Sequence, residues 1–279
     1  MTEMDQLKSG IIEAVEKVRA ENPLAGSVTN GVTMDFVANA QLAVGGSAAM
    51  VYLPDEGECL VGAGGAVYLN MGTLLPIYQE TLRRTAAAAF KNGKPWVLDP
   101  VGIGIGQLRT DLLQELKQYK PAIVRGNASE IIALASLWGI EANACESSRP
   151  RGVDTTDTVE AARDAAVALA RFTGGAVAVS GKKDLVTDGK KVVYSEGGSD
   201  LMEKVTGFGC SQGGVWAVYA TVTDSFTAAL AAVAHYNVAG SRAAKVADAP
   251  ASFKTAFIDE LYRVTARDIA DNPFTVEEA

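Results

Sequence analysis

Histidine is almost missing from this sequence: His235 is the single one among 279 residues. A histidine-based metal site is therefore excluded. A Ser-His-Asp triad would have to use His235, which sits within an Ala-rich helical pattern where a packed or surface position explains it. Cysteine is scarce too. Cys59, Cys145 and Cys210 are odd in number, far apart and without CxxC spacing, which argues against zinc and against a disulfide framework. Aromatic residues make up only 7%. No apolar run reaches the roughly 18 residues of a membrane span, and residues 1–8 are polar, with no apolar signal-type core. A basic surplus is also lacking: 25 Lys and Arg against 33 Asp and Glu leave a net charge of −8. Nucleic acid and anionic membranes are therefore poor partners, since either needs a basic face. An anionic ligand needs only a local positive site. The expectation is a soluble, cytoplasmic protein.

Hydrophobic residues are plentiful at 48%, enough for a large core, and 28 glycines suit many tight strand-to-helix turns. The chain shows no internal repeat, low-complexity tract or linker, so one domain over 1–279 is expected. Apolar periodicity predicts helices over 4–20, 33–44, 75–91, 110–119, 128–138, 159–172, 210–222, 228–247 and 253–269. Strands are predicted over 48–53, 66–69, 96–98, 122–125 and 176–180. A hairpin of 185–187 with 191–194 is read around Asp188-Gly189, and a polar loop over 141–156. Alternation of strand and helix implies βαβ units and a mainly parallel sheet, an α/β fold. Ligands of such sheets sit at the carboxyl ends of the strands.

The residues just after the strands are therefore informative. Lys204-Val205-Thr206-Gly207-Phe208-Gly209-Cys210 ends a polar segment and opens a long helix. Its two glycines leave successive N–H groups unobstructed at the positive end of the helix, an anion hole suited to phosphoryl transfer. A thiol there would have its thiolate favoured. A plain turn with a buried cysteine explains the same residues. The stretch is neither GxxxxGK[ST] nor GxGxxG, because position 212 is Gln212. Leu98-Asp99-Pro100 puts a carboxylate at a strand end, where it can hold Mg²⁺ directly or through water, or simply make a turn. Arg125-Gly126-Asn127-Ala128-Ser129-Glu130 is, as structure, a capping box with Asn127 as N-cap; a functional reading puts Glu130 near a metal and Arg125 on a phosphate, and the two are compatible. Ser180-Gly181 ends a further strand.

Taken together, the segments resemble the hydroxyethylthiazole kinases, ribokinase-like enzymes of thiamine salvage. The marks run from about residue 22 to about residue 264 and include Ser27-Val28-Thr29-Asn30, Gly45-Gly46-Ser47-Ala48-Ala49-Met50, Leu69-Asn70-Met71-Gly72-Thr73-Leu74 and Leu98-Asp99-Pro100-Val101-Gly102. They continue with Arg109-Thr110, residues 123–130, Gly152-Val153-Asp154, Asp184-Leu185-Val186-Thr187-Asp188-Gly189, Leu201 through Cys210, and Ser252-Phe253. The resemblance implies a three-layer αβα sandwich, ATP as co-substrate, Mg²⁺, and a homotrimer that phosphorylates the hydroxyl of 4-methyl-5-(2-hydroxyethyl)thiazole. It assigns Met50 and Asn30 to the substrate, Asp99 and Glu130 to Mg²⁺, and Arg125, Ser180 and Thr206 to the nucleotide. Gly207, Phe208, Gly209 and Cys210 become the anion hole, with Cys210 close to the alcohol as a base or a bystander.

This chain departs from the resemblance at several positions. Ser180 stands where threonine is usual, and Asp35 where asparagine often is. Phe208 replaces a small residue, leaving its ring to lie over the nucleotide or the substrate. Ser211-Gln212-Gly213-Gly214 is polar and glycine-rich, which is expected to loosen that helix turn. Two other functions stay open: a ribokinase-like kinase or ATP-dependent dehydratase acting on another vitamin-like alcohol, and a nucleotide- or vitamin-binding protein without turnover.

Overall fold

The apolar period near the start becomes helix α1 (Glu3–Glu21), capped by Thr2, whose hydroxyl accepts the Asp5 N–H. The computed structural model describes residues 2–140 and 158–279. The expected polar loop, Cys145 and Gly152-Val153-Asp154 lie outside the described residues. Strand β1 (Leu24–Val28), helix α2 (Met34–Ala43), strand β2 (Ser47–Met50), helix α3 (Pro54–Ala63) and strand β3 (Ala66–Asn70) follow. Then come α4 (Tyr78–Lys91), β4 (Trp96–Asp99), α5 (Gln107–Leu116), β5 (Ile123–Asn127), α6 (Ala128–Leu137), α7 (Arg163–Thr173) and β6 (Ala176–Ser180). The hairpin β7 (Lys183–Thr187) and β8 (Lys191–Glu196) leads to α8 (Phe208–Ala220), α9 (Ser225–Ala243), α10 (Pro250–Arg263), α11 (Ala266–Ala270) and β9 (Phe274–Glu278).

Among the described residues these strands form one sheet in the order β2-β1-β3-β4-β5-β6-β7-β8-β9. Pairing is parallel from β2 to β6 and antiparallel from β6 to β9. The central strands are buried on both faces, as parallel strands covered by helices must be. Alternate residues face opposite layers: Tyr68 and Val97 join the core with α1, α2 and α8–α11, while Leu69 and Leu98 join the core with α3–α7. The mainly parallel three-layer αβα sandwich is thus present.

Several boundaries differ from the sequence reading. The strand expected over 48–53 stops at Met50, because Pro54 starts α3. The helix expected over 253–269 breaks at Val264-Thr265, where a new capping box of Thr265 and Asp268 starts α11. The turn of Ser211-Gln212-Gly213-Gly214 is not loosened: it lies within continuous α8 and is buried. A Cβ at Gly213 would strike the Tyr68 ring, and one at Gly214 would lie 2.7 Å from Val37. The glycines are therefore contact points at which the sheet and α2 close onto α8. No described helix is long and apolar enough to cross a membrane.

Candidate active site

Parallel register lines up the strand ends. Asn70 pairs with Asp99 across β3 and β4, and Asn127 with Ser180 across β5 and β6. The N-terminus of α8 points into this row, and a cleft of about 1310 Å³ opens above it. Asn30, Arg125, Glu130, Ser180 and Thr206 to Cys210 all line the cleft. Met50 does not: it is half-buried at the end of β2, the edge strand. Asp99 is fully buried and does not itself line the cleft.

Gly207 caps α8 with φ 95°, a left-handed conformation that glycine adopts without strain. The Ser211 N–H bonds back to the Gly207 carbonyl at 2.8 Å, so the helix proper begins there. The N–H groups ahead of Ser211 have no intrahelical acceptor and remain available to an anion. Gly209 brings the backbone hard against Arg125: a Cβ there would sit 2.6 Å from the guanidinium Cζ and Nη1. Arg125 Nη2 donates to Ser180 Oγ at 2.9 Å, and its Nη1 lies 3.6 Å from Asp99 Oδ1.

A buried hub joins the acid to the thiol. Tyr68 Oη donates to Asp99 Oδ2 at 2.8 Å, and Asn70 Nδ2 reaches the same oxygen at 3.1 Å and Cys210 Sγ at 3.3 Å. Asn70 Oδ1 accepts from Asn30 Nδ2 at 2.9 Å and from the Gly72 N–H at 2.8 Å. Among the described residues, Asp99 Oδ1 is buried with no hydrogen-bond partner. The sequence reading left Asn70 and Tyr68 out of the site. The strand-end rule pointed to Asn70, whereas Tyr68 reads as plain core until β3 is set beside β4.

Glu130 forms the expected capping box: Oε2 accepts the Asn127 N–H at 2.8 Å, and Asn127 Oδ1 accepts the Glu130 N–H at 2.9 Å. Burial, and then the charge of Asp99, push its carboxyl up to about 7. Burial also raises Asp99, against the pull of Arg125, Tyr68 and Asn70. Arg125 loses hydration on burial, but Asp99 and Glu130 outweigh that loss and hold it protonated. Burial and Asp99 push the Cys210 thiol up to about 11. The thiolate expected from the helix start alone is therefore disfavoured. Phe208, expected to lay its ring over the nucleotide or substrate, is buried in the core. The ring packs among Phe36 (5.0 Å between centroids), Phe257 (4.6 Å) and Phe253 (5.7 Å), between α2 and α10.

A covered parallel sheet, with a glycine turn delivering a helix N-terminus onto an arginine and two carboxylates, defines a small-molecule kinase of the ribokinase-like kind. The fold agrees with a ribokinase-like superfamily protein from Enterococcus faecalis (TM-score 0.58, 12% identity, 93% of this chain and 89% of that one). It agrees likewise with the pyridoxal kinase of Staphylococcus aureus in complex with ADP (TM-score 0.59, 16% identity, 92% and 98% covered). The hydroxyethylthiazole kinase of Pyrococcus horikoshii superimposes with a TM-score of 0.85 at 31% identity, covering 97% of this chain and 99% of that one. The hydroxyethylthiazole kinase of Bifidobacterium animalis subsp. lactis is 46% identical over 278 residues, 96% of this chain and 92% of that protein. That of Bifidobacterium adolescentis is 48% identical over 273 residues, 95% and 93% of the two chains. The profile of the hydroxyethylthiazole kinase family matches residues 15–267. The chain belongs to that family.

Proposed function

We propose that this protein transfers the γ-phosphoryl group of ATP to the hydroxyl of 4-methyl-5-(2-hydroxyethyl)thiazole, yielding ADP and the thiazole phosphate used in thiamine salvage. One observation carries the reading: the N–H groups of the glycine turn, Arg125, Glu130 and Cys210 converge on one corner of the cleft. Phosphoryl transfer needs positioning and charge stabilisation more than covalent chemistry, and this corner offers both.

In this reading Arg125, Ser180 and Thr206 face the ATP phosphates. The N–H groups of Gly207 to Cys210 receive charge that builds on the transferred group. Asn30 lines the alcohol side, with Cys210 beside the attacking hydroxyl. A thiol pushed up to about 11 is neutral near pH 7, so Cys210 orients the hydroxyl and is a poor proton acceptor. The residues also fit Mg²⁺: Glu130 would hold it from the cleft wall, and Asp99 through Oδ1, which among the described residues has the Arg125 ion pair at 3.6 Å but no hydrogen bond. Bound there, Mg²⁺ supplies positive charge to the phosphates and relieves the mutual repulsion of the two carboxylates. Met50 lies outside its own cleft, and half-exposed apolar side chains such as Leu53, Leu75 and Ile105 suit burial against another subunit. Both fit a site completed by another subunit, and we read the assembly as a homotrimer of single-domain chains. A cytoplasmic site of action goes with ATP as co-substrate.

The test is direct. The protein is incubated with ATP, Mg²⁺ and the thiazole alcohol, and ADP and the phosphate ester are followed together. Pyrimidine and vitamin alcohols and hydrated nicotinamide cofactors serve as competing substrates. ADP formation with none of these, beside an active control kinase, refutes the kinase reading, and a preference for another alcohol refutes the substrate.

A further inference from the structure

Asp184 is a buried carboxylate that the phosphoryl-transfer corner does not use. Its Oδ1 accepts the Gly181 N–H at 3.0 Å, and its Oδ2 accepts from Asn237 Nδ2 on α9 at 3.0 Å. Among the described residues it takes part in no ion pair, and burial pushes it up to about 6. A charge kept out of water without a partner cation is costly, so the geometry it enforces calls for an explanation.

That geometry spans two walls of the cleft. Gly181 follows Ser180, whose hydroxyl accepts from Arg125. On the other side, the Asn237 carbonyl accepts the Gly198 N–H at 2.9 Å, and its side chain also donates to Ser195 Oγ at 3.1 Å. Gly197 and Gly198 have φ of 137° and 81°, and a Cβ at Gly197 would lie 2.8 Å from Asn237 Cβ. Glycine is needed there for both conformation and closeness. Gly181, Asp184, Gly197, Gly198 and Asn237 all line the cleft.

We propose that Asp184 and Asn237 form a latch that sets the separation of the turn after β6 and the loop after β8, and thereby the affinity for nucleotide. The pair positions; it does not touch the reacting atoms. The inference rests on the reading that Ser180 and Arg125 face the ATP phosphates. It gives a role to the Asp184-Leu185-Val186-Thr187 segment beyond pairing in the sheet.

Reciprocal variants test it. Asp184→Asn sets one amide donor against another, and Asn237→Asp sets two carboxylates together. The double variant Asp184→Asn/Asn237→Asp restores one donor and one acceptor in exchanged places. Calorimetry with ADP, without any alcohol, reads the Kd, and steady-state kinetics read the KM for ATP and kcat. Each single change should raise Kd and KM for ATP about tenfold, the usual effect of one broken buried hydrogen bond. kcat should stay within about threefold, and the double variant should return to within about threefold of the parent in Kd. Should a single variant fail to accumulate, Asn237→Ser, which leaves the Asp184–Gly181 bond intact, is compared instead. Wild-type affinity in the single variants, or no recovery in the double, overturns the latch. A parent protein that binds ADP but phosphorylates no alcohol sinks the proposed function, while the Kd comparison still decides the latch. A parent that binds no nucleotide overturns both.

Discussion

Gly209→Ala isolates the glycine turn from the rest of the site. The new methyl would need the volume occupied by the Arg125 guanidinium, with Cζ and Nη1 2.6 Å from the Cβ position. Arg125 cannot yield freely, because Ser180 Oγ holds it at 2.9 Å and Asp99 Oδ1 lies 3.6 Å away. Displacing it disturbs a charge-assisted hydrogen bond worth roughly 1.5–3 kcal/mol and loosens its pairing with Asp99. If the same displacement removes the guanidinium from the transition-state phosphates, about 3 kcal/mol of stabilisation is lost, or roughly a 100-fold fall in kcat/KM. Helix propensity works the other way, since Ala within a helix is favoured over Gly by about 1 kcal/mol. The net cost to stability is about 0.5–2 kcal/mol, so the melting temperature should drop by a few degrees while the protein stays folded at assay temperature and activity falls far more. The assay is coupled ADP release with ATP and the thiazole alcohol, beside thermal unfolding. Gly62→Ala on α3, where a Cβ would meet nothing within 4 Å, is the control and should keep full activity. A Gly209→Ala enzyme within threefold of the parent would show that Arg125 and the turn do not act together.

Other substitutions probe separate parts. Glu130→Gln keeps an acceptor for the Asn127 N–H, so the cap and the stability should persist while the Mg²⁺ needed for half-maximal rate rises about tenfold or more; an unchanged Mg²⁺ titration refutes its placement. Cys210→Ser should slow transfer by about tenfold or less, because a neutral thiol gives up little as a base; a loss of about 1,000-fold would make the thiol essential. Phe208→Ala should cost about 3–5 kcal/mol in chemical denaturation through the void left among Phe36, Phe253 and Phe257. His235 is buried between Tyr219 Oη (2.7 Å) and the Leu261 carbonyl (2.8 Å), and burial lowers its pKa to about 3. Its unfolded value near 6.5 means its contribution is complete above that pH and is lost as pH falls. The stability gap between parent and His235→Gln should shrink by roughly 2 kcal/mol from pH 7 to pH 5, and a constant gap refutes the buried neutral imidazole.

The chain announced much of this design locally. Leu98-Asp99-Pro100, residues 123–130, Ser180-Gly181 and the 206–210 turn were legible because a strand end, a cap and a glycine turn are written in a few adjacent residues. The alternation of strand and helix was legible for the same reason, since period depends on neighbours along the chain. Other parts were not. Strand β1 reads Leu-Ala-Gly-Ser-Val, weak in β-formers, and exists because β2 and β3 flank it on both sides. Strand β9 is polar and largely exposed, and is made by the ladder it shares with β8. The glycine turn keeps its place as the N-terminal cap of α8 facing the cleft, which the sequence determined. Tertiary structure decided that Phe208 faces the aromatic core, that burial and Asp99 push the Cys210 thiol up, and that Tyr68 and Asn70 tie it to Asp99. Burial and register are set by residues far apart in the chain, and ring placement and pKa follow from burial and register.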